Sequence, residues 1–485
     1  MLDAKMKRRT KILATIGPAV KSREMLLKLA QEGMDVARLN FSHGEHADFA
    51  RTIADLRSIS EELGRPLGIL ADIQGPKIRV ADLEGKQVQL IEGKEFYFCS
   101  DPDFVGGVRD GKTYVSVGYK EFVKDVGPGI RVLLDDGLME VRVLAREGNM
   151  LRCEVISGGL LKENKGINVP DVPFSTSAIT EKDYADILFC VEQRVDFIAL
   201  SFVRMAQEVR HLKQFVESRG TKIDIISKIE KLDALTHLDS IIEASDGILV
   251  ARGDLAVEVG NERVPVLQKK IVRECNLRGK PVIIATQMLM SMVENPRPSR
   301  AEASDVANGI VEGADALMLS NETAVGKYPL ESVRMMNRII EEMEEVPTPQ
   351  PILFNEWKLN EAGQKQVGLL QSAVRLSSIL HAKLIAVLTQ SGNSPILVSK
   401  CRPQAPVYAL TGDPEVYQKL SLKWGVRALL MQDMEALAGQ TTIFEAVGQR
   451  LTALNLCSSG DTIIMTAGLP RLARGSTNTI KVHQI

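Results

Sequence analysis

Asp224-Ile225-Ile226-Ser227-Lys228-Ile229-Glu230 and, one helical stretch later, Gly247-Ile248-Leu249-Val250-Ala251-Arg252-Gly253-Asp254 decide how this chain is read. Each is a short, β-branched apolar run that ends on charged or glycine-bearing residues and leads into a helical pattern. A run this short suits a strand buried on both faces better than a buried helix. The same unit recurs in both directions along the chain, with runs at 11–16, 36–41, 68–73, 197–202, 224–229, 247–251, 281–286 and 316–320. Eight β-α units in succession close most economically into a parallel (β/α)8 barrel. A doubly wound open sheet is the alternative. The complete count of eight, and the lack of a GxGxxG turn after the first run, place it second.

Helix boundaries support the units. Thr180 with Asp183 is an N-cap signal, and Ser299 with Glu302 reads as a capping box. Pro265 and Gly279 bracket a helix whose apolar residues Leu267, Ile271 and Cys275 fall on one face. The repeat is broken once, between the third and fourth runs. There the pattern turns to period two, as at Val141 and Val143, then Leu151, Cys153 and Val155, with turns at Asp135-Asp136-Gly137 and Glu147-Gly148-Asn149. This predicts a small β-barrel or sandwich emerging above the catalytic end of the main barrel, where a lid would sit. A proline-containing stretch at 346–353 closes the barrel region. Strand-like runs at 383–389, 406–410, 462–466 and 480–482 then alternate with helices. The expected organisation is a barrel from 1–74 and 173–345, a β-rich lid from 75–172, and a C-terminal α/β regulatory domain from 355–485.

The length of 485 residues agrees with several domains, and the net charge of −2 argues against a nucleic-acid or membrane partner. Lys5-Met6-Lys7-Arg8-Arg9 is followed by no apolar run of signal-peptide length, and no stretch approaches a membrane span. Six scattered cysteines and six scattered histidines show no metal-ligand spacing, so reduced thiols in a cytoplasmic protein are expected.

In a (β/α)8 enzyme the chemistry lies at the C-terminal ends of the strands. Here those ends carry Arg38, Asn40, Ser42, His43, Asp72, Lys77, Ser201, Arg204, Lys228, Glu230, Arg252, Asp254, Thr286, Ser320 and Glu322. One such residue is often a solvated loop position; a set spread over nearly every strand is not. Lys228 and Glu230 are two apart on an extended chain and point to the same side. They could form a plain ion pair, or a phosphate-stabilising cation beside a metal ligand. Asp254 adds a carboxylate from the next strand, and two carboxylates with water and substrate oxygens suit Mg²⁺.

With these residues in place the sequence resembles the pyruvate kinases along essentially its whole length. The matching strings include Ala14-Thr15-Ile16-Gly17-Pro18, Arg38-Leu39-Asn40-Phe41-Ser42-His43-Gly44, Asp72-Ile73-Gln74-Gly75-Pro76-Lys77-Ile78-Arg79, Ser227-Lys228-Ile229-Glu230, Ala251-Arg252-Gly253-Asp254-Leu255, Ala285-Thr286-Gln287-Met288 and Met318-Leu319-Ser320-Asn321-Glu322-Thr323. Ala256 and Asn321 stand where many relatives have glycine.

The resemblance implies phosphoryl transfer from phosphoenolpyruvate to ADP, with Mg²⁺ or Mn²⁺ as cofactor, in a homotetramer. Lys228 is the implied cation on the phosphoryl group in flight, and Glu230 and Asp254 are the implied metal ligands. Arg38, Gly253, Asp254 and Thr286 resemble the substrate contacts. Asn40, His43, Arg79 and Lys165 resemble positions that border the nucleotide. Thr286 and Ser320 have pKa values too high to give up a proton readily, so a hydroxyl and water relay is expected to protonate the enolate.

Two finer expectations follow from the same resemblance. Thr389-Gln390-Ser391-Gly392-Asn393-Ser394 looks like the family's effector-phosphate loop, implying allosteric activation by a phosphorylated metabolite. Its plain alternative is a strand-to-helix turn with Ser394 as N-cap. Many pyruvate kinases bind K⁺ at the positions of Asn40, Ser42, Asp72 and Ile73. This chain has Lys77 where K⁺-dependent relatives carry glutamate, and Ile73, Gln74 and Val80 where they carry threonine, lysine and threonine. It resembles the K⁺-independent group, with the Lys77 ammonium as the cation's substitute.

Overall fold

The computed structural model describes residues 8–101, 103–170, 172, 174, 178–346, 352–432, 443–469 and 477–485. Within it, eight parallel strands close into a barrel: Lys11–Ile16, Val36–Asn40, Gly68–Asp72, Phe197–Leu200, Asp224–Ile229, Gly247–Ala251, Val282–Ala285 and Ala316–Leu319, the first pairing with the eighth. Five of the eight expected runs extend one or two residues past the observed strand. At two of those ends the backbone leaves the ladder because Phe202 and Thr286 take φ of 55° and 68°. The barrel interior is filled by alternating apolar side chains, among them Leu13, Leu70, Phe197, Leu249, Ile283 and Met318.

One sequence device recurs at the barrel floor. Asp35, Asp196, Asp246 and Asp315 immediately precede the second, fourth, sixth and eighth strands. Each accepts the backbone N–H of the preceding strand: Ile12 at 2.8 Å, Ile69 at 2.7 Å, Ile225 at 2.9 Å and Val282 at 2.8 Å. These amides lie at the starts of odd strands, where a carboxylate answers a buried donor. Each aspartate also takes a cation, in order Arg8, Arg57, Lys213 and Lys400.

Helix starts follow the local signals. Thr180 and Asp183 form a reciprocal capping box ahead of helix Glu181–Glu192, and Ser299 and Glu302 do the same for Arg300–Val311. The helix Val264–Leu277 has proline in its first turn, with Gly279 at φ 64° beyond its end.

Between the third and fourth strands the chain builds a seven-stranded sheet on its own apolar core, beside a two-stranded ribbon of Gln87–Leu90 with Gly159–Lys162. Asp135 and Asp136, at φ 53° and 55°, make the expected tight turn between Arg131–Leu134 and Met139–Glu147. The expected junction at Pro173 lies outside the described residues, as do residues 347–351 of the stretch after the barrel.

The C-terminal sheet runs Val426–Leu430, Val407–Thr411, Ile385–Leu388, Thr462–Ala467 and Thr479–Gln484, the last pair antiparallel. The strand Val426–Leu430 was not expected from the sequence; it is short and its outward Arg427 interrupts the apolar run. This domain docks under the barrel. Leu422, in a 3-10 turn Leu420–Leu422, is fully buried among the barrel's interior side chains. Lys400 reaches Asp315 at 2.5 Å, and Lys11 of the first strand donates to the Val426 carbonyl at 3.0 Å. Among the described residues no helix is long and apolar enough to cross a membrane.

Candidate active site

The C-terminal ends of the second to fifth strands bring four charged side chains into one network. Arg38 grips Asp72, with Nη2 at 2.6 Å and Nε at 2.8 Å from Oδ2, and its Nη1 reaches Thr15 Oγ1 at 3.1 Å. Lys228 Nζ lies 3.2 Å from Asp72 Oδ1, 2.9 Å from Glu230 Oε1 and 2.8 Å from Ser201 Oγ. Alternation on the fifth strand places Lys228 and Glu230 on one side, as their spacing predicts.

The charges decide each other's state. Burial alone pushes the Lys228 ammonium towards neutrality, but Asp72 and Glu230 outweigh it and hold it firmly protonated. Burial likewise pushes the Asp72 carboxyl up; Lys228 and Arg38 overcome that and hold it below the usual carboxylate range. Glu230 goes the other way. Burial pushes it up, Lys228 pulls it down, and the nearby Asp254 charge pushes again, leaving it raised.

Glu230 also tests the fit of a metal. Its Oε2 accepts the Phe202 N–H at 2.7 Å, but Oε1 is buried without a properly aligned donor, although Lys228 Nζ is 2.9 Å away. A buried carboxylate oxygen with a free lone pair, facing a second carboxylate, is the environment a divalent cation relieves. No group of three or more His, Cys, Asp or Glu residues that could hold an ion occurs among the described residues. Two carboxylates plus substrate and water oxygens fit Mg²⁺, which seldom takes an all-protein cage. They do not fit zinc.

Asp254 opens the helix Arg252–Val259 after the sixth strand, and its Oδ1 lies 3.3 Å from Lys77 Nζ. Lys77 also faces Asp136 of the inserted sheet at 3.9 Å. It does not pair with Asp72, whose partners are Arg38 and Lys228. Gly253 N–H donates to Thr286 Oγ1 at 2.9 Å, and the same hydroxyl donates to the Ala285 carbonyl at 2.6 Å. Arg252 holds this corner, with Nε on the Ala285 carbonyl at 3.1 Å and Nη2 on the Thr286 carbonyl at 2.6 Å. Its Nη1 is fixed by Asp305 at 2.7 Å. Thr286 and Gln287 stay in the left-handed region, φ 68° and 56°, because this clamp compensates the strain.

Ser320 follows the eighth strand, and its N–H donates to the buried Glu322 at 2.8 Å. The other Glu322 oxygen accepts the Leu289 N–H at 3.0 Å, joining the seventh and eighth strand ends. Asn40 Oδ1 accepts the Ser42 N–H at 3.2 Å, and the Ile73 carbonyl accepts from Ser201 Oγ at 2.7 Å. His43 is exposed at the rim. Arg79 donates to the Asn164 carbonyl at 3.1 Å and Lys165 pairs with Asp135 at 2.8 Å, both within the insert. Among the described residues, none of Asn40, His43, Arg79 and Lys165 hydrogen-bonds to the Lys228 network.

Sequence reasoning missed Asp72 and Ser201 as partners of Lys228. The parity of the third and fourth strand ends was the available signal. At the distant loop, Thr389 Oγ1 accepts the Gly392 N–H at 2.9 Å. Gly392, at φ 79°, is the N-cap of helix Asn393–Lys400, so the alternative with Ser394 as cap does not hold. Ser394 Oγ is buried against Thr477 Oγ1 at 2.6 Å and accepts from Gln366 Nε2 at 2.9 Å. Ser391 borders a cleft; Gln390 is part-exposed beside it.

Residues 7–333 match the family described as pyruvate kinase, barrel domain, and residues 368–483 match pyruvate kinase, alpha/beta domain. The chain is 42% identical over 485 residues to a pyruvate kinase of Geobacillus stearothermophilus, covering 99% of this chain and 81% of that protein. It is 38% identical to one of Clostridium perfringens, over 98% of this chain and all of that protein. A crystal structure of a pyruvate kinase from Cryptosporidium parvum superposes with a TM-score of 0.87 at 33% identity, over 98% of this chain and 96% of the other.

Proposed function

The chain belongs to the pyruvate kinase family and is a phosphotransferase, and on that premise we propose that the Lys228 network is the phosphoryl-transfer site for phosphoenolpyruvate and ADP. One observation carries the reading: a firmly protonated Lys228, held by Asp72, Glu230 and Ser201 beside Arg38, at the mouth of a closed barrel.

Transfer breaks the bond between phosphorus and the enol oxygen and forms one to the terminal phosphate oxygen of ADP. Little covalent help is needed; the requirement is fixed positive charge on the equatorial oxygens. Lys228 and Arg38 supply it without reorganising, since their carboxylate partners already hold them. Magnesium, when bound through Glu230 and Asp254, supplies further charge neutralisation on substrate oxygens. The enolate left behind takes a proton at carbon. To the Thr286 hydroxyl, fixed between Gly253 and Ala285, and to the Ser320 hydroxyl we assign the ordering of water for that step. Asn40, His43, Arg79 and Lys165, around the rim and the insert, are assigned to the nucleotide.

The proposal extends to three finer points. Lys77 supplies a fixed positive charge beside Asp254, in support of activity without K⁺; Asn40, Ser42, Asp72 and Ile73 need no ion. The loop 389–394 receives an activating phosphorylated metabolite, supported by the helix start at Asn393. The active species is a cytoplasmic homotetramer, as the family resemblance implies. The test of the core reading is a coupled pyruvate assay with phosphoenolpyruvate, ADP and Mg²⁺, each omitted in turn. Pyruvate formation that persists without ADP would assign the barrel to another enolate chemistry.

A further inference from the structure

The cap ahead of helix Glu181–Glu192 uses only half of its carboxylate. Asp183 Oδ2 accepts the Thr180 N–H at 2.8 Å and the Thr180 hydroxyl at 2.6 Å, which completes the capping box. Its Oδ1 turns away and accepts the Gly75 N–H at 3.0 Å, 108 residues earlier in the chain. Gly75 lies just past the third barrel strand, where the chain leaves for the inserted sheet; Thr180 lies where it returns to the barrel. One carboxylate therefore holds the departing and the returning chain at a single point. The helix that carries it is itself fastened to the barrel, because Lys182 donates to the Phe41 carbonyl past the second strand at 2.8 Å. Asp183 is fully buried, and among the described residues no cation pairs with it; the adjacent Lys182 goes to Asp186 at 2.7 Å. Phosphoryl transfer as described above gives this buried carboxyl group no task.

The point it pins lies directly behind Lys228. Gly75 has φ of 66°, and a Cβ there would lie 3.1 Å from both Ser201 Cβ and Phe202 Cδ2, so glycine lets the turn seat against the end of the fourth strand. Those two residues hold the chemistry in place. Ser201 Oγ donates to the Ile73 carbonyl at 2.7 Å and accepts from Lys228 Nζ at 2.8 Å. The Phe202 N–H holds Glu230 Oε2 at 2.7 Å. On the other side of Gly75, the Lys77 N–H donates back to the Gly75 carbonyl at 2.9 Å, with Pro76 stiffening the turn between them. That sets the direction in which the Lys77 ammonium reaches Asp254, at 3.3 Å.

We propose that Asp183 is a positioning residue for phosphoryl transfer, holding the Gly75 turn against Ser201 and Phe202 so that Lys228 and Glu230 stay in register with the transferring group. This rests on the reading of the Lys228 network as the transfer site. Asp183 touches no reactant and acts through Gly75. Its loss leaves the buried Gly75 N–H without an acceptor and frees the turn on which the fourth strand end is seated. A displacement of about 1 Å at reacting groups can cost about a hundredfold in rate. The effect therefore falls on the chemical step and spares substrate affinity.

Steady-state kinetics of Asp183→Ala in the full chain test the role, with Thr180→Val as the comparison. Both variants weaken the same helix cap, and both should lower the melting temperature by a few degrees. Only Asp183→Ala releases Gly75. Its kcat for ADP-dependent pyruvate formation should fall about tenfold to a hundredfold, with the KM for phosphoenolpyruvate within about threefold of wild type. Thr180→Val should keep kcat within about twofold. The role of Asp183 is overturned by a wild-type kcat in Asp183→Ala, by a loss confined to KM, or by an equal fall of kcat in Thr180→Val. Should Asp183→Ala not fold, Asp183→Glu gives the same reading: glutamate is the usual capping-box residue at this position, but its longer stem moves the carboxylate off Gly75. Wild-type protein that forms no pyruvate from phosphoenolpyruvate, ADP and Mg²⁺ would instead overturn the transfer-site reading, and the role of Asp183 with it.

Discussion

Lys228 is the residue on which the proposed chemistry turns, and its surroundings predict what its loss does. Lys228→Met keeps the stem and deletes the charge, leaving Asp72 and Glu230 facing one another. Turnover should fall by at least about a thousandfold, the scale of other electrostatic transition-state groups, while phosphoenolpyruvate still binds. Single-turnover kinetics read this directly; a variant with near-normal kcat would remove Lys228 from the mechanism. Lys77 makes the second residue-scale prediction. With its ammonium 3.3 Å from Asp254, it supplies charge beside one of the two carboxylates proposed for the metal. Assays in tetramethylammonium buffers, with KCl added back at constant ionic strength, should show less than about tenfold activation, or ~1.4 kcal/mol of barrier. Lys77→Glu should be nearly inactive and partly restored by K⁺. Indifference of that variant to the ion would dissociate Lys77 from cation substitution.

At the scale of elements, the aspartates ahead of the even strands repay attention because they resemble each other in sequence and differ in energetics. Asp35 sits among Arg8, Lys11 and Arg65; burial pushes its carboxyl up, and these three cations more than reverse that, so its folded pKa lies below 3.8. Its stabilising share is therefore complete above the unfolded value and lost as pH falls through the folded one. Asp35→Asn should cost about 3 kcal/mol at pH 7, as for other broken buried pairs, and progressively less below pH 4. Asp196, with Arg57 as its cation, stays raised because burial dominates. Its ionised form is favoured less in the folded state, so its contribution falls as pH rises from the unfolded to the folded pKa. Urea denaturation of both Asn variants across pH 3–7 should show opposite slopes in the difference from wild type. Parallel slopes would mean the cation environments are not what separates them.

At the scale of the whole molecule, the C-terminal sheet domain is anchored to the end of the barrel opposite the Lys228 network. Leu422 is fully buried with the barrel's interior residues, and Gly68 lets the turn come close, since a Cβ there would lie 2.3 Å from Ser421 Oγ. Leu422→Ala should destabilise the chain by about 2–4 kcal/mol, the range for leucine truncation in a core, read by guanidinium denaturation. A loss under about 0.5 kcal/mol would place the turn outside the packed interior.

Much of this was written in local sequence. Eight short apolar runs, Thr180 with Asp183, Ser299 with Glu302, and the two-residue spacing of Lys228 and Glu230 are local, and periodicity or capping chemistry reads them directly. The strand ends were overrun where Phe202 and Thr286 turn to positive φ, because their supports lie far along the chain: Glu230 takes the Phe202 N–H, and Arg252 holds the Thr286 carbonyl. Asp72 and Ser201 as partners of Lys228, Lys77 on Asp254, Lys400 on Asp315 and Leu422 inside the barrel all join residues far apart in the chain. Periodicity carries no information about such pairings; barrel closure and domain docking bring them together, and burial then makes each unanswered charge costly enough to fix its partner.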